Sequence, residues 1–431
     1  MRAVWSKGRV TSLLLVLVTI AVSARSNAVA GTQAAAGRIS QLAELTASDG
    51  QAGYFLGTSV SVSGNVAVVG APYATVGSNV LQGAAYIFVK PNTGWTNMTQ
   101  TAKLTASDGQ TFYRFGTTVA ISGDTVVVGE SVGLGYTLEV YVFVKPAGGW
   151  TDMTETAKLT SSDNNSEFGY SVAIGGNTVA VGAGGAGCCE VPGSIYLFVR
   201  PSSGWTSTTQ TAKLTLLDDE EPDELGASVS VSGDVVVGGA PGWNEGQGAV
   251  YIFMKPAGGW VDTTQTAELL ASDGVRGDQL GWSVSLSGST LVGGAPDATV
   301  GFNELQGAAY VFVEPTKAWT DGYETAKLTV SGGEPAEQAG YAVSIAGGTV
   351  VVGAPNATVG SNQGQGATYV FLKPAGGWRS MTQITTVTAS DGAAGDIFGT
   401  SVSAGGSALL IGAPHQNGND TEAGAAYVFG P

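Results

Sequence analysis

The sequence predicts an all-β fold, a seven-bladed β-propeller of four-stranded antiparallel blades, on three observations. A segment of the type FLGTSVSVSGNVAVVGAP, at residues 55–72, returns six more times along the 431 residues. Trp95, Trp150, Trp205, Trp260, Trp319 and Trp378 fall 55, 55, 55, 59 and 59 residues apart. No segment sustains a 3.6-residue apolar rhythm over three turns, so each repeat reads as strands rather than helices.

In chain order, Arg2, Lys7 and Arg9 precede an apolar run from Leu13 to Val22, and Ala28-Val29-Ala30 supplies the small residues of a cleavage site. Residues 1–30 therefore read as a secretory signal, 31–38 as a short linker and 39–431 as the propeller. The run is short for a membrane span and no later stretch is long and apolar enough, so no membrane insertion is expected after cleavage. The destination is secretion or the cell surface. Loss of Arg2, Lys7, Arg9 and Arg25 with the signal moves the formal charge from -16 to -20. Nucleic acid and anionic lipid are poor partners for so acidic a chain, because both are bound by Lys and Arg.

Within each repeat the first strand follows a Phe-Gly-like pair: Phe115-Gly116, Phe168-Gly169 and Phe398-Gly399, with Leu56-Gly57, Leu225-Gly226, Leu280-Gly281 and Ala339-Gly340 as softened versions. A turn such as Ser63-Gly64-Asn65 reverses the chain, Gly with Asn or Asp supplying the positive φ of a tight hairpin. The second strand is a Val-rich run ending in Gly-Ala-Pro at 70–72, 239–241, 294–296, 353–355 and 412–414. The third is of the type Gly-Ala-Ala-Tyr-Ile-Phe (83–88), and the fourth Ala-Lys-Leu-Thr (102–105). Strands apolar on both faces are packed on both faces, the condition met by small sheets stacked around an axis. The chain opens on a fourth-type strand (Ala43 to Thr46) and ends on a third-type strand (Ala425 to Phe429). The N-terminal strand is therefore expected to complete the last blade and close the ring, removing exposed edges.

The ordered Phe-Gly and Gly-Ala-Pro pairs resemble FG-GAP repeats, the unit of the integrin α-subunit β-propeller and of many exported bacterial proteins, over residues 39–431. Such blades often hold calcium in the first hairpin on a D-x-D-x-D-G loop. Here those turns are too short and carry at most one acid, Asp124 or Asp234, so that site is not carried over. The resemblance also implies that protein ligands meet the face bearing the second-to-third and fourth-to-first connections.

On that face an Asp recurs in the fourth-to-first connection: Asp49, Asp108, Asp163, Asp218, Asp273 and Asp391, with Gly332 the exception. These either make Ser-Asp-Gly turns or form an acidic ring for cations or a basic partner. Gln82, Gln247, Gln306 and Gln365 end four second-to-third loops, where they either satisfy backbone groups or contact a glycan or peptide. The run Asp218, Asp219, Glu220, Glu221, Asp223 and Glu224 is a solvated loop or a loose Ca²⁺ site; no other cofactor is implied. Cys188 and Cys189 are adjacent, and a vicinal disulfide would clamp their loop. Arg276-Gly277-Asp278 is a weak tripeptide motif. His415 is the only histidine and no nucleophile motif accompanies it, so catalysis has little support. The expected function is an exported, non-enzymatic binding or adhesion module for an extracellular protein or glycan. The alternative is a carbohydrate-active or other hydrolytic enzyme with its site at the axial opening.

Overall fold

The computed structural model describes residues 39–131, 139–184, 193–217, 223–316, 318–416 and 422–431. The signal and linker segments, Asp218 to Glu221, and Cys188 with Cys189 lie outside the described residues. The described chain forms seven β-sheets, each built on one repeat. In the first, Ser59–Ser63, Val66–Ala71, Ala84–Val89 and Ala102–Thr105 run antiparallel in that order. The second strand is buried on both faces throughout, whereas the first alternates between buried Val and half-buried Ser.

Local chemistry explains the hairpin. Ser63 pairs with Val66 across two central residues, and Gly64 takes φ +60° while Asn65 does not leave the ordinary region. Glycine at the first central position is the type II′ arrangement, whose twist matches the flanking strands. Asn65 serves a different purpose, as its carbonyl accepts the Lys90 N–H at 2.8 Å from the third-to-fourth connection.

Blades meet through two devices. The Gly of each Gly-Ala-Pro lies against the Gly of the next repeat's Phe-Gly pair. A Cβ on Gly70 would overlap the Gly116 carbonyl, one on Gly239 that of Gly281, and one on Gly353 that of Gly399. The second device uses the alternating Ser-Val-Ser-Val-Ser strand, whose hydroxyls face the neighbouring first strand. Ser59 and Ser61 Oγ accept the N–H groups of Val119 and Ile121, and Ser228 and Ser230 those of Val284 and Leu286, at 2.9–3.1 Å. The inner strands thus have their otherwise free amides satisfied by the next blade.

The ring closes as expected. Ser40–Thr46 pairs antiparallel with Ala425–Gly430 in the sheet of the last repeat, burying Ala43 and Leu45. Ser403 Oγ accepts the Val62 N–H at 3.1 Å, continuing the serine ladder from the last repeat into the first. The blades differ from the expected four strands in one respect. In six sheets a two-residue strand from a following repeat adds in parallel at the outer edge, as Met153–Thr154 does on Leu104 and Thr105. Asp152 and Glu155, flanking that strap, accept the N–H groups of Lys103 and Ser107. The strap covers an outer edge that would otherwise be free to pair with another chain. At the seventh seam Gln41 stands in, accepting the Ser390 N–H at 2.9 Å.

Candidate functional site

The fourth-to-first and second-to-third connections share one face, where Asn79 of one donates to the Gly109 carbonyl of the other at 2.9 Å. The recurring aspartates lie here at the seams between blades. Asp49 accepts the Tyr86 hydroxyl at 2.9 Å and pairs with Lys103 at 2.6 Å, with the ammonium 5.5 Å above the Tyr86 ring. Asp163 with Tyr196 and Lys213, and Asp273 with Tyr310 and Lys327, repeat the arrangement, and Asp108 does so with Tyr141 and Lys158. Desolvation raises the carboxyls of Asp108, Asp163 and Asp273, but the lysine and tyrosine bonds outweigh it and hold all three below the ordinary value. At the last seam Asp391 accepts the Tyr427 hydroxyl, and Glu44 occupies the lysine position.

The glutamines are used within the fold in the same way. Gln82, Gln306 and Gln365 are buried and each accepts from an Asn three residues earlier, while Gln247 donates to the Gly274 carbonyl at 3.0 Å. Of the Arg276-Gly277-Asp278 tripeptide, Asp278 is buried and accepts the Val275 N–H, so its carboxylate is turned inward. His415 stacks on Phe55 at 4.8 Å, and Phe55 meets Tyr73 edge-on at 5.0 Å. The recurring Trp residues are buried among core side chains near the opposite face.

At the centre of the face is a cavity of about 410 Å³, lined from the first strands of all seven repeats. Most of its wall is hydroxyl and backbone: Ser59, Thr117, Ser228, Ser283 and Ser401 contribute. Three aromatic side chains interrupt it, Tyr170, Trp282 and Tyr341, the last two with ring centroids 5.6 Å apart. Burial pushes the Tyr170 phenol above its ordinary value, and Tyr341 and then Glu224 push the same way. Glu224 also lines the cavity, and burial raises its carboxyl.

A family model described as FG-GAP repeat matches residues 39–88, 98–143, 153–198, 208–253, 263–312, 323–371 and 381–429. The chain belongs to the FG-GAP repeat family. None of the curated proteins matches it significantly.

The structure gives the FG-GAP signature a physical meaning, since its two glycines are the places where neighbouring blades touch through backbone. The residue immediately after the Phe-Gly pair varies from repeat to repeat, as Thr58, Thr117, Tyr170, Ala227, Trp282, Tyr341 and Thr400, and all of these but Thr58 line the cavity. That variation was present in the sequence as a departure from the repeat, but only ring closure brings six of those positions, the three aromatics among them, into one cavity. Among the described residues no group of three or more His, Cys, Asp or Glu could hold a metal ion. No helix among them is long and apolar enough to cross a membrane.

The second FG-GAP repeat replaces Gly-Ala-Pro by Gly129-Glu130-Ser131, which buries a carboxyl. Glu130 accepts the Glu139 N–H at 3.2 Å and lies 3.2 Å from the Tyr141 hydroxyl. Desolvation nevertheless raises its pKa from 4.5 to about 8. The folded state then holds a proton that the unfolded state has released, so this group's contribution to stability is complete below pH 4.5 and is lost as pH rises through 8. Thermal unfolding of the wild type and Glu130→Gln at pH 5 and pH 8 checks this. The wild type is expected to lose more stability than the variant over that interval, and equal losses would contradict the assignment.

Proposed function

We propose that the chain is an exported, non-enzymatic binding module that takes an extracellular protein or glycan on the face bearing the axial cavity. The cavity carries this reading: it is concave, within the size range of ligand pockets, and walled by aromatic and hydroxyl groups on a rigid ring. Tyr and Trp combine a large apolar surface with a polar tip and are suited to contacts that are partly wet. Exposed apolar side chains on the surrounding connections, Phe112 and Phe302 among them, widen the surface available to a partner. Binding is preferred to hydrolysis because glycoside cleavage uses two carboxyl groups across the scissile bond. Glu224 is the one carboxylate among the described lining residues.

The test is surface plasmon resonance of the chain against panels of extracellular glycans and proteins. It is run beside a Tyr170→Ser/Trp282→Ser/Tyr341→Ser variant and a Val261→Ser control on the opposite face. A ligand bound saturably by the wild type and the control, and at least about tenfold more weakly by the triple variant, is expected. Ligands that bind all three equally would remove the axial cavity from the function.

A further inference from the structure

Within the axial cavity, Tyr170, Trp282 and Tyr341 supply aromatic surface from three different repeats, and Glu224 supplies a carboxylate from the repeat between the first two. The Glu224 side chain has no hydrogen-bond or ion-pair partner among the described residues, in contrast to the seam aspartates, which are paired with Tyr and, in four cases, Lys. Among the described residues no Lys, Arg or His lines the cavity. Arg114, at the rim position of the second repeat, is held over the Tyr73 ring at 5.3 Å and is not part of the lining. Aromatic rings attract cations through their negative faces, and a desolvated carboxylate with no partner adds to that attraction. An anionic ligand would meet the Glu224 charge with no cationic side chain among the described lining residues to offset it.

The geometry points to an organic ammonium, quaternary or multiply methylated, as the group that enters this cavity, with Trp282 and Tyr341 against its methyl groups and Glu224 as its counter-ion. This rests on the reading of the axial cavity as the binding centre and names the chemistry of what it holds. The cavity is several times the size of a trimethylammonium head, so the rest of the ligand also has room. Two sources share that chemistry, a free choline-type molecule and a trimethylated lysine on a protein partner.

Isothermal titration calorimetry of the full chain with choline, with a trimethyllysine peptide and with neutral 3,3-dimethylbutan-1-ol tests the inference. The last has the shape of choline without its charge. Saturable binding of at least one cation is expected, with the neutral analogue at least about tenfold weaker because it lacks the charge the rings and the carboxylate attract. Trp282→Ala is expected to weaken cation binding about tenfold, Glu224→Gln several-fold, and Tyr341→Phe, which keeps the ring, little. Unchanged melting curves for the variants separate lost binding from lost folding. Choline binding alone assigns a small-molecule ligand, and peptide binding alone assigns a modified protein partner. Equal binding of the neutral analogue, or no saturable binding of either cation at millimolar concentration, overturns the inference. A glycan or protein still captured through the cavity in that case would leave the broader binding function standing.

Discussion

Gly412→Ala is expected to destabilise the ring by about 3 kcal/mol or more, read as a lowered midpoint in denaturant-induced unfolding. Gly412 ends the second strand of the last repeat, and a Cβ there would overlap the carbonyl oxygen of Gly57 in the first. The Gly57 carbonyl is backbone and cannot rotate away, and the Ser401 hydroxyl crowds the same position. The Ser401 hydroxyl donates to the same Gly57 carbonyl at 2.7 Å, and forcing the two blades apart would break that bond too. Gly64→Ala is the control. It also has positive φ, at +60°, but a Cβ there meets nothing within 4 Å, so the cost is the left-handed backbone alone, about 1 kcal/mol. Similar losses for the two variants would show that conformation, and not contact between blades, accounts for the conserved pattern within this chain's own repeats.

Removal of the strand Ser40–Thr46 is the larger perturbation. That strand fills the fourth place in the last sheet, and its loss strips the edge of Ala425–Gly430 and leaves Met98–Thr99 without the partner it has in Leu45 and Thr46. Truncating Leu45 alone to Ala would cost about 2–5 kcal/mol, because the side chain is fully buried. A chain beginning at Ala47 is therefore expected to form dimers or larger species through the open edge, seen by size exclusion with light scattering. A peptide of residues 39–50 supplied in excess is expected to restore a monomer. A monomeric truncated chain with unchanged unfolding would mean that the ring does not depend on its N-terminal strand.

The separate fates of the two glycines show why the fold was so legible. The repeat period, the Val-rich second strand and the strand phase at the two termini are local patterns, each repeated seven times, and repetition averages out the ambiguity of any one copy. The fifth, two-residue strand escaped notice because Met153–Thr154 is too short to carry an alternation, and its partner belongs to another repeat. The Ser-Val-Ser-Val-Ser alternation was visible, but its meaning depends on which strand lies beside it. The acidic positions Asp49, Asp163 and Asp273 are visible in the sequence as a recurrent set. Their Tyr and Lys partners lie 33 to 54 residues away and are brought beside them by the blade packing.

By itself, then, the sequence determined the number of blades, the order of strands within them, the closure of the ring and the face on which the connections gather. All of these follow from periodicity and from the need to bury strands on both faces. Tertiary structure alone decided which polar groups are paired inside the fold and which line the axial cavity. Asp49 and Glu224 are both carboxylates in equivalent stretches of acidic connection, yet one is held by a tyrosine and a lysine and the other lines an aromatic cavity without a partner among the described residues. The difference is set by what the neighbouring repeat places opposite each residue, and that is a property of the closed ring rather than of any one repeat.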